Sequence, residues 1–532
     1  MAEHRVFIAD KLSRDALDVL ESCSGLEVDY RPDLPDSEKI AAANQAQALI
    51  VRSATKVSAA FLQQIDSLEL IVRAGVGVDN IDVDAATRKG IVVQNVPDGN
   101  VRSAAEHAVA LLLSLARNVP KANISMKGGK WERSDFLGTE VQGKTLGVVG
   151  LGKIGRHVVD MASGLGMHVL VRDPYVAPNI AEQLGIELVP ELSDLVPRVD
   201  FLTIHVPLSP ETKGLINARA LEGAKPDLRI VNCSRGGIVD EDALLRALEE
   251  GRLGGVALDV FAEEPPGATA LVMHPEVVVT PHLGASTREA QKNVAVGASQ
   301  QVIDYLLHRR LHSPVNAIQL DPELTDDVQP YRDLALKMGR LHAQILEGNP
   351  ERIVVKYFGE FFSDRVQSYL TNGVLEGFIG SHSAQPVNFI NVRTLSKDQG
   401  LAVEERSEGK SRYFVNMIRV EVIDSGGQRA LGGTIRGRGG LRLVSLDNYQ
   451  FDAVFEGSLI LVANEDRPGM IGALGDALGS HNVNVSYMSL GRDTNGGTAI
   501  SVVNVDDGLS AGVIEEIASQ PGILWAKFAT VD

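Results

Sequence analysis

A glycine-rich turn is the first segment whose residue types and spacing suggest chemistry. Gly150, Gly152 and Gly155 follow the apolar run "TLGVV" in the pattern Gly-x-Gly-x-x-Gly, and a helix-period segment comes next. The first glycine permits a tight turn, the second lets backbone amides approach a pyrophosphate, and the third lets the helix pack on the strand. The pattern predicts a dinucleotide site with its phosphates at the helix N-terminus. A strand–helix turn of purely structural use is the alternative.

The next apolar run, "HVLVRD", ends in Asp173, 23 residues after Gly150. A carboxylate at this position suits the 2′-hydroxyl of a ribose and repels a 2′-phosphate. The sequence therefore favours NAD over NADP, with the neighbouring Arg172 as the feature that leaves NADP open.

Three further side chains stand at the ends of candidate strands. They are Arg235 in "VNCSRGGIVDE", Glu264 in "DVFAEEPPG", with Glu263 as the alternative carboxylate, and His282 in "TPHLGAST". Hydride transfer from a secondary alcohol needs a base for the hydroxyl proton, a carboxylate to stabilise the resulting imidazolium, and a cation for the substrate's acid group. Each residue taken singly has an ordinary alternative as a loop histidine, a solvated acid or a helix-start ion pair.

Two arginines follow earlier strand candidates, Arg52 in "VRSATKV" and Arg73 in "VRAGVGVDN". Ligands of open α/β sheets bind beyond the carboxyl ends of the strands, and guanidinium groups suit carboxylates and phosphates. Both arginines are therefore candidates to hold an anion, and surface ion pairs are the alternative.

Apolar runs alternate with helix-period segments through most of the chain, which predicts βα units and parallel sheets. Two long helices flank the dinucleotide unit. The first starts near residue 100 and contains His107, which we expect to be a core or interface histidine. The second begins with Ser286 and Glu289 in a capping-box pattern and runs to about Arg310. This arrangement predicts that the dinucleotide unit is inserted into the first domain.

The C-terminal part differs in pattern. Residues 318–452 predict an α+β accessory domain in which "LGGTIRGRGG" forms turns, and the last 75 residues follow the ferredoxin-like order strand, helix, strand, strand, helix, strand. The predicted fold is α/β, with a doubly wound NAD-binding domain (99–285) inserted in a flavodoxin-like substrate-binding domain (1–98 and 286–317). The accessory domain (318–452) and a C-terminal regulatory domain (457–532) follow.

The bulk composition restricts the possible partners. The net charge is −18, which disfavours nucleic acids and anionic membranes. Two cysteines give neither a disulfide framework nor a C-x-x-C metal site, and we expect no metal. A charged start to the chain and the lack of a long apolar run predict a soluble cytoplasmic protein.

Four motifs in this order, "GLGKIG", "NCSRGGIVDE", "DVFAEEPP" and "TPHLGAST", resemble those of the D-isomer-specific 2-hydroxyacid dehydrogenases. Together with "VRSATKV", "RAGVGVDNID", "PDGNVRSAAEHA" and an ACT-like end, they are similar to the long-form phosphoglycerate dehydrogenases of that family. The resemblance implies oxidation of 3-phosphoglycerate with NAD, with His282 as acid/base, Glu264 as its partner because it directly precedes Pro265, and Arg235 as carboxylate clamp. It places Arg52, Ser53, Arg73 and Asn100 at the substrate. It adds cofactor contacts from Lys153, Ile154, Val206, Cys233, Ser234, Asp259 and the loop His282, Leu283, Gly284 and Ala285.

The resemblance extends to regulation. The accessory domain resembles an allosteric substrate-binding domain, and the ACT-like domain resembles a serine-binding domain that pairs with a second copy, in a homotetramer. Asn464, Asp466 and Asn484 are the implied serine contacts, although many relatives have histidine or tyrosine in place of Asn464. An ACT domain kept for assembly alone, a glycerate or glyoxylate reductase, and a dinucleotide-sensing scaffold are the alternatives.

Overall fold

A computed structural model describes residues 3–425, 427–437, 439–493, 497–506, 509 and 511–532. The first unit is a five-stranded parallel sheet in the order β2-β1-β3-β4-β5, the flavodoxin-like order. Its elements are β1 (His4–Ile8), α1 (Arg14–Glu21), β2 (Leu26–Tyr30), α2 (Asp36–Ala43), β3 (Ala48–Val51), α3 (Ala59–Leu62), β4 (Leu70–Arg73), α4 (Val83–Arg88) and β5 (Val92–Asn95). The central strand β3 is buried along its whole length, as expected for a sheet covered on both faces.

The second unit is a seven-stranded parallel sheet in the order β12-β11-β10-β9-β6-β7-β8. Its elements are α5 (Val101–Ala116), α6 (Val119–Lys127), β6 (Thr145–Val149), α7 (Lys153–Gly164), β7 (His168–Arg172), α8 (Pro178–Leu184), β8 (Glu187–Leu188), α9 (Leu192–Leu195), β9 (Phe201–Ile204), β10 (Arg229–Asn232), α10 (Glu241–Glu249), β11 (Gly255–Leu258) and β12 (Val277–Val279). The strand order reverses between β6 and β9, which is where a doubly wound sheet opens its ligand crevice. The predicted NAD-binding fold is confirmed.

The chain then returns to the first unit through α11 (Arg288–His308), which packs its apolar face on the first sheet. The predicted start of this helix is off by one residue. Thr287, and not Ser286, is the N-cap residue, because its side chain accepts a hydrogen bond from the backbone N–H of Ala290 at 3.1 Å. The helix also ends at His308, two residues before the predicted end, where Arg309 adopts a left-handed conformation.

The third unit is a six-stranded mixed sheet in the order β14-β13-β15-β16-β17-β18, covered by three helices. Its elements are α12 (Thr325–Ile345), β13 (Pro350–Phe358), α13 (Asp364–Gly380), α14 (Val392–Asp398), β14 (Ala402–Glu408), β15 (Met417–Asp424), β16 (Gly427–Arg436), β17 (Gly440–Leu446) and β18 (Tyr449–Val454).

The prediction of turns over "LGGTIRGRGG" is wrong, because most of this segment is the second half of β16. Gly432 and Gly433 lie within the strand at points of close packing, whereas Gly437 and Gly439, which both have positive φ, lie in the turn that follows. A Cβ on Gly433 would lie 2.9 Å from side-chain atoms of both Leu334 and Met338 in α12, so a larger residue would push these two buried side chains aside.

The last unit is a four-stranded antiparallel sheet in the order β20-β21-β19-β22, with two helices on one face. Its elements are β19 (Ser458–Glu465), α15 (Met470–Ser480), β20 (Val485–Arg492), β21 (Thr498–Val505), α16 (Ala511–Ser519) and β22 (Ile523–Thr530), the predicted ferredoxin-like order. The other face shares one hydrophobic core with the third unit, through residues such as Leu461, Val502 and Ala529. Among the described residues, no helix has the length and apolar character needed to cross a membrane.

Candidate active site

Three neighbouring parallel strands carry the residues that could transfer a proton and hold an acid group. Arg235 follows β10, Glu264 follows β11 and His282 follows β12, each within six residues of its strand end. The turns of β10 and β11 touch, since a Cβ on Gly236 would lie 1.8 Å from the carbonyl oxygen of Phe261. The topology thus brings the three predicted side chains to one edge of the sheet.

His282 and Glu264 form a direct pair. The Nδ1 atom of His282 lies 2.8 Å from Oε2 of Glu264, and Oε1 of the same carboxylate accepts a hydrogen bond from the backbone N–H of Phe261 at 3.1 Å. His282 has a φ of 55°, the left-handed region that a non-glycine residue rarely occupies. The surrounding loop therefore holds the imidazole in a specific orientation, with Nε2 turned to the side opposite the carboxylate.

Asp259, at the end of β11, fixes the loop that carries His282. Its buried carboxylate accepts hydrogen bonds from the hydroxyl of Thr280 at 2.5 Å and from the backbone N–H groups of Leu283 at 2.7 Å and Gly284 at 2.8 Å. Burial opposes ionisation, but these hydrogen bonds and one from His107 outweigh it and lower the pKa of Asp259. The aspartate is thus a fixed anion behind the loop.

Sequence reasoning expects His107 to be a core or interface histidine and misses its contacts at this site. The structure places its Nε2 atom 3.1 Å from Oδ1 of Asp259 and 3.1 Å from the hydroxyl of Thr280. The one signal for this contact is a histidine within a mainly apolar helix, α5, and nothing in the sequence indicates its partner. Cys233 is nearby, and ligand atoms of Cys233, His107 and Asp259 all lie within 4.8 Å of one another. Burial, with the charge of Asp259, raises the pKa of the Cys233 thiol, which argues against a thiolate nucleophile or metal ligand.

Three guanidinium groups, those of Arg52, Arg73 and Arg235, lie close enough to repel one another. Burial, followed by the like charges of Arg235 and Arg52, lowers the pKa of Arg73 to about 10, against the opposing effect of Asp79 and Asp10. The Nε atom of Arg73 is buried without a hydrogen-bond partner among the described residues. A bound anion would offset the repulsion and would accept a hydrogen bond from the unpaired Nε of Arg73, so the cluster fits an anionic ligand.

The loop after β4 is shaped around these arginines. A Cβ on Gly77 would lie 2.2 Å from Nη2 of Arg235, whose Nε atom is 3.4 Å from Oδ2 of Asp79. Of the two remaining substrate candidates, Ser53 is exposed beside Arg52, and Asn100 is the N-cap residue of α5. No hydrogen bond between described residues joins Asn100 to the arginines, and its amide oxygen is buried without a partner.

Gln291, on the first turn of α11, is a second residue that sequence reasoning missed. Its side-chain amide donates to the carbonyl oxygen of Ala285 at 3.1 Å, and its Oε1 atom accepts a hydrogen bond from Arg52. This glutamine joins the loop of His282 to the anion cluster.

The glycine-rich turn has the geometry that the pattern predicts. Gly150 has a φ of 98°, and a Cβ on Gly155 would lie 2.1 Å from the Gly150 carbonyl oxygen, so α7 can start close to β6 only with these glycines. Gly152 is the N-cap residue and has open space where a Cβ would stand. With no capping side chain, the first amides of α7 remain for phosphate oxygens, which fits a dinucleotide.

The other predicted cofactor contacts surround this turn. Asp173 follows β7 and accepts hydrogen bonds from the backbone N–H groups of Leu151 at 2.7 Å and Tyr175 at 2.9 Å, which keep it beside the glycine turn. Each carboxylate oxygen retains a lone pair for a ribose hydroxyl. Lys153 pairs with Asp98. The remaining contacts are Ile154, packed on the core, and Ser234, whose hydroxyl donates to the carbonyl of Val206.

The three candidate serine contacts do not meet within one chain. Asn464 and Asp466 lie at the end of β19, where Asp466 pairs with Arg492 at 3.5 Å. Asn484 precedes β20, and the strand registers place it level with the start of β19, on the far side of β21. At 3.3 Å per residue, this position is about 20 Å along the sheet from Asn464. It binds Asp506 there.

Three family models match successive parts of the chain. They are the NAD-binding domain of D-isomer-specific 2-hydroxyacid dehydrogenases over residues 109–284, the D-3-phosphoglycerate dehydrogenase intervening domain over residues 327–447, and the ACT domain over residues 458–522. A D-3-phosphoglycerate dehydrogenase from Synechocystis is 41% identical over 98% of this chain and 93% of its own length. One from Bacillus subtilis is 36% identical over 98% of this chain and 99% of its own.

The chain belongs to the D-3-phosphoglycerate dehydrogenase family. It is an NAD-dependent oxidoreductase, as the sequence predicts. Solved structures of similar fold include a glyoxylate reductase from Paecilomyes thermophila, with a TM-score of 0.54 and 26% identity over 61% of this chain and 100% of its own. The D-lactate dehydrogenase of Escherichia coli has a TM-score of 0.53 and 28% identity over 58% of this chain and 99% of its own.

Proposed function

We propose that this chain oxidises 3-phospho-D-glycerate to 3-phosphohydroxypyruvate with NAD, as the first step of L-serine biosynthesis. The observation that carries the proposal is the group of three arginines, Arg52, Arg73 and Arg235, beside the His282–Glu264 pair. A 2-hydroxy acid with one carboxylate needs one guanidinium clamp, whereas a substrate with a carboxylate and a phosphate uses the larger positive cluster.

The chemistry follows from the positions of the side chains. Arg235 binds the carboxylate, and Arg52 and Arg73 bind the phosphate, so the C2 hydroxyl faces His282. The imidazole Nε2 takes the hydroxyl proton, and Glu264 at 2.8 Å stabilises the imidazolium that results. Bound NAD, held by the glycine turn, Asp173 and the loops that follow β9 to β12, supplies the hydride acceptor.

We also propose that L-serine inhibits the enzyme through the last unit, in a site made by two chains. Asn464 and Asp466 are about 20 Å from Asn484 in one chain, so a site that uses all three needs a second copy. The strand β20 lies at the edge of its sheet, where a two-fold pairing brings Asn484 of one copy toward Asn464 of the other.

We propose that the protein assembles as a homotetramer. A second group of surface residues supports an assembly of several copies. The segment 119–137, which we name the apolar arm, exposes Val119, Ile124, Met126, Trp131 and Leu137, the last two 75% and 89% exposed. Large apolar side chains clustered on a surface mark an association site, and a second copy of the chain is the occupant that we propose. The division into four domains with the boundaries given above, and the cytoplasmic location, stay predictions.

The experiment that tests the activity is NADH formation from 3-phosphoglycerate, with and without L-serine, alongside D-glycerate. We expect turnover with 3-phosphoglycerate at a kcat/KM well above that for D-glycerate, and inhibition by serine. A preference for D-glycerate would support the reductase alternative instead. Absence of turnover with both substrates would support the scaffold alternative.

A further inference from the structure

A buried carboxylate stands directly behind the loop that carries Arg52. Asp10 lies two residues after the end of β1, and its side chain is buried, with 4% exposed. Its Oδ2 atom accepts hydrogen bonds from the backbone N–H groups of Arg52 at 2.6 Å and Thr55 at 3.2 Å, and Oδ1 accepts one from the Thr55 hydroxyl at 2.6 Å. One side chain therefore fixes both ends of the loop 52–55.

A buried lysine completes this arrangement. Lys39, on α2 and 7% exposed, donates from Nζ to the Thr55 hydroxyl at 2.9 Å. The hydroxyl, itself buried, thus accepts a hydrogen bond from a cation and donates one to an anion. We name this chain of contacts, Lys39–Thr55–Asp10, the loop anchor.

The opposite side of the loop is held as well. The side-chain amide of Asn80 donates to the carbonyl oxygens of Arg52 and Thr55, both at 2.7 Å. Beyond the fixed backbone, the Arg52 guanidinium contacts the Lys11 carbonyl at 3.1 Å and the side chain of Gln291. The backbone geometry at Arg52 thus sets the direction in which its guanidinium leaves the loop.

Burying a lysine and an aspartate costs free energy that a well-packed apolar trio would avoid. Fold stability alone does not call for this choice of residues. The anchor does supply something that apolar residues cannot, because it binds the backbone amide of Arg52 and adds a negative charge behind a cluster of three guanidinium groups.

We propose that Lys39, Thr55 and Asp10 are positioning residues that aim Arg52 at the substrate's phosphate and so set the preference for phosphorylated over unphosphorylated 2-hydroxy acids. The inference rests on the proposed function, in which Arg52 binds the phosphate. None of the three touches the substrate; they act through the backbone of the loop.

Thr55→Val is the decisive variant, because valine has the shape of threonine without the hydroxyl, and Thr55→Ser is its matched control, since serine keeps the hydroxyl. We expect Thr55→Val to raise the KM for 3-phosphoglycerate about tenfold, the effect of one lost buried hydrogen bond to a charged group. The KM values for D-glycerate and NAD, and kcat, should stay within about twofold. Thr55→Ser should restore most of the affinity for 3-phosphoglycerate.

Asp10→Asn provides a second test should Thr55→Val fold poorly, and the same selective rise in KM is expected, because the amide keeps one acceptor and loses the charge. Equal rises in KM for 3-phosphoglycerate and D-glycerate, or equal behaviour of Thr55→Val and Thr55→Ser, would overturn the inference.

Arg52→Ala, measured alongside, separates this inference from the proposed function. If Arg52→Ala selectively raises the KM for 3-phosphoglycerate and the anchor variants do not, only the positioning role of the anchor fails. If Arg52→Ala raises the KM for 3-phosphoglycerate and for D-glycerate equally, Arg52 does not bind the phosphate, and the positioning role of the anchor fails as well.

Discussion

The Nδ1 atom of His282 lies 2.8 Å from Oε2 of Glu264, and the two residues follow neighbouring strands of one parallel sheet. This contact fixes which imidazole nitrogen faces the carboxylate, and so leaves Nε2 for the substrate. The left-handed backbone at His282 and the Asp259 hydrogen bonds to the next two amides hold the ring in place. The pair is therefore preorganised before any ligand binds.

The first prediction concerns the two adjacent glutamates. Glu264→Gln keeps the shape but loses the charge that stabilises the imidazolium, so we expect kcat to fall about a hundredfold. Glu263→Gln is the matched control, since Glu263 is an exposed neighbour, and it should retain kcat within about twofold. Steady-state NADH formation measures both. Equal losses in the two variants would contradict the assigned pairing.

The residues around this pair show what sequence reasoning can and cannot reach. The ends of parallel strands are readable from apolar runs, so Arg235, Glu264 and His282 could be predicted to converge. The contacts of His107 and Gln291 could not be predicted, because each joins residues that are far apart in the chain. His107 binds Thr280, more than 150 positions away, and Gln291 binds Arg52, more than 200 positions away. Their roles depend on how α5 and α11 pack, which a single sequence does not specify.

The fold shows the same division. The βα alternation and the ferredoxin-like order are local patterns, and both were predictable. The backbone freedom of glycine favours turns over β16, whereas Gly432 and Gly433 lie within the strand and Gly433 packs against side chains of α12. Such a contact joins segments about a hundred residues apart and leaves no local signal.

The second prediction concerns the serine site. Asn464 and Asn484 lie at opposite ends of the last sheet. The variants Asn464→Ala and Asn484→Ala, each tested alone, should no longer be strongly inhibited by serine. In mixed assemblies of the two variants, half of the two-chain sites regain both asparagines, so partial inhibition should return. A mixture of two differently tagged Asn464→Ala chains is the control and should stay uninhibited. Mixed assemblies that respond no better than this control would rule out a site shared between chains.

A third prediction addresses assembly through the apolar arm. Replacing both Trp131 and Leu137 by serine should lower the particle mass measured by light scattering, because these exposed apolar side chains are the proposed contact between copies. Tyr175→Ser is the control, since Tyr175 is 93% exposed but lies outside the arm. The particle mass of this variant should equal that of the wild type. A wild-type particle that is already a monomer would exclude this interface.

The fourth prediction follows from a buried histidine that the mechanism does not use. Burial lowers the pKa of His342, in α12, to about 4, although its Nε2 atom lies 3.0 Å from the carbonyl of Val420. The unfolded chain takes up a proton near pH 6.5 and the folded chain does not, so stability falls as the pH drops from about 6.5 to 4. The total loss from this residue is about 3 kcal/mol.

His342→Gln should remove this part of the acid sensitivity, as measured by urea unfolding at pH 7 and pH 4.5. The exposed His308→Gln is the comparison, and it should retain the wild-type difference between the two pH values. A His342→Gln protein whose stability falls with pH as steeply as the wild type would show that His342 makes no such contribution.

The most direct test of the account is the kcat of His282→Asn for 3-phosphoglycerate at saturating NAD. Asparagine tolerates the left-handed backbone at this position, so the variant removes the base and keeps the loop. We predict a loss of about a thousandfold or more in kcat, with NAD affinity, measured by fluorescence titration on the same sample, within about threefold of the wild type. A variant that binds NAD normally and keeps more than about a tenth of the wild-type turnover would contradict the claim that His282 carries the proton.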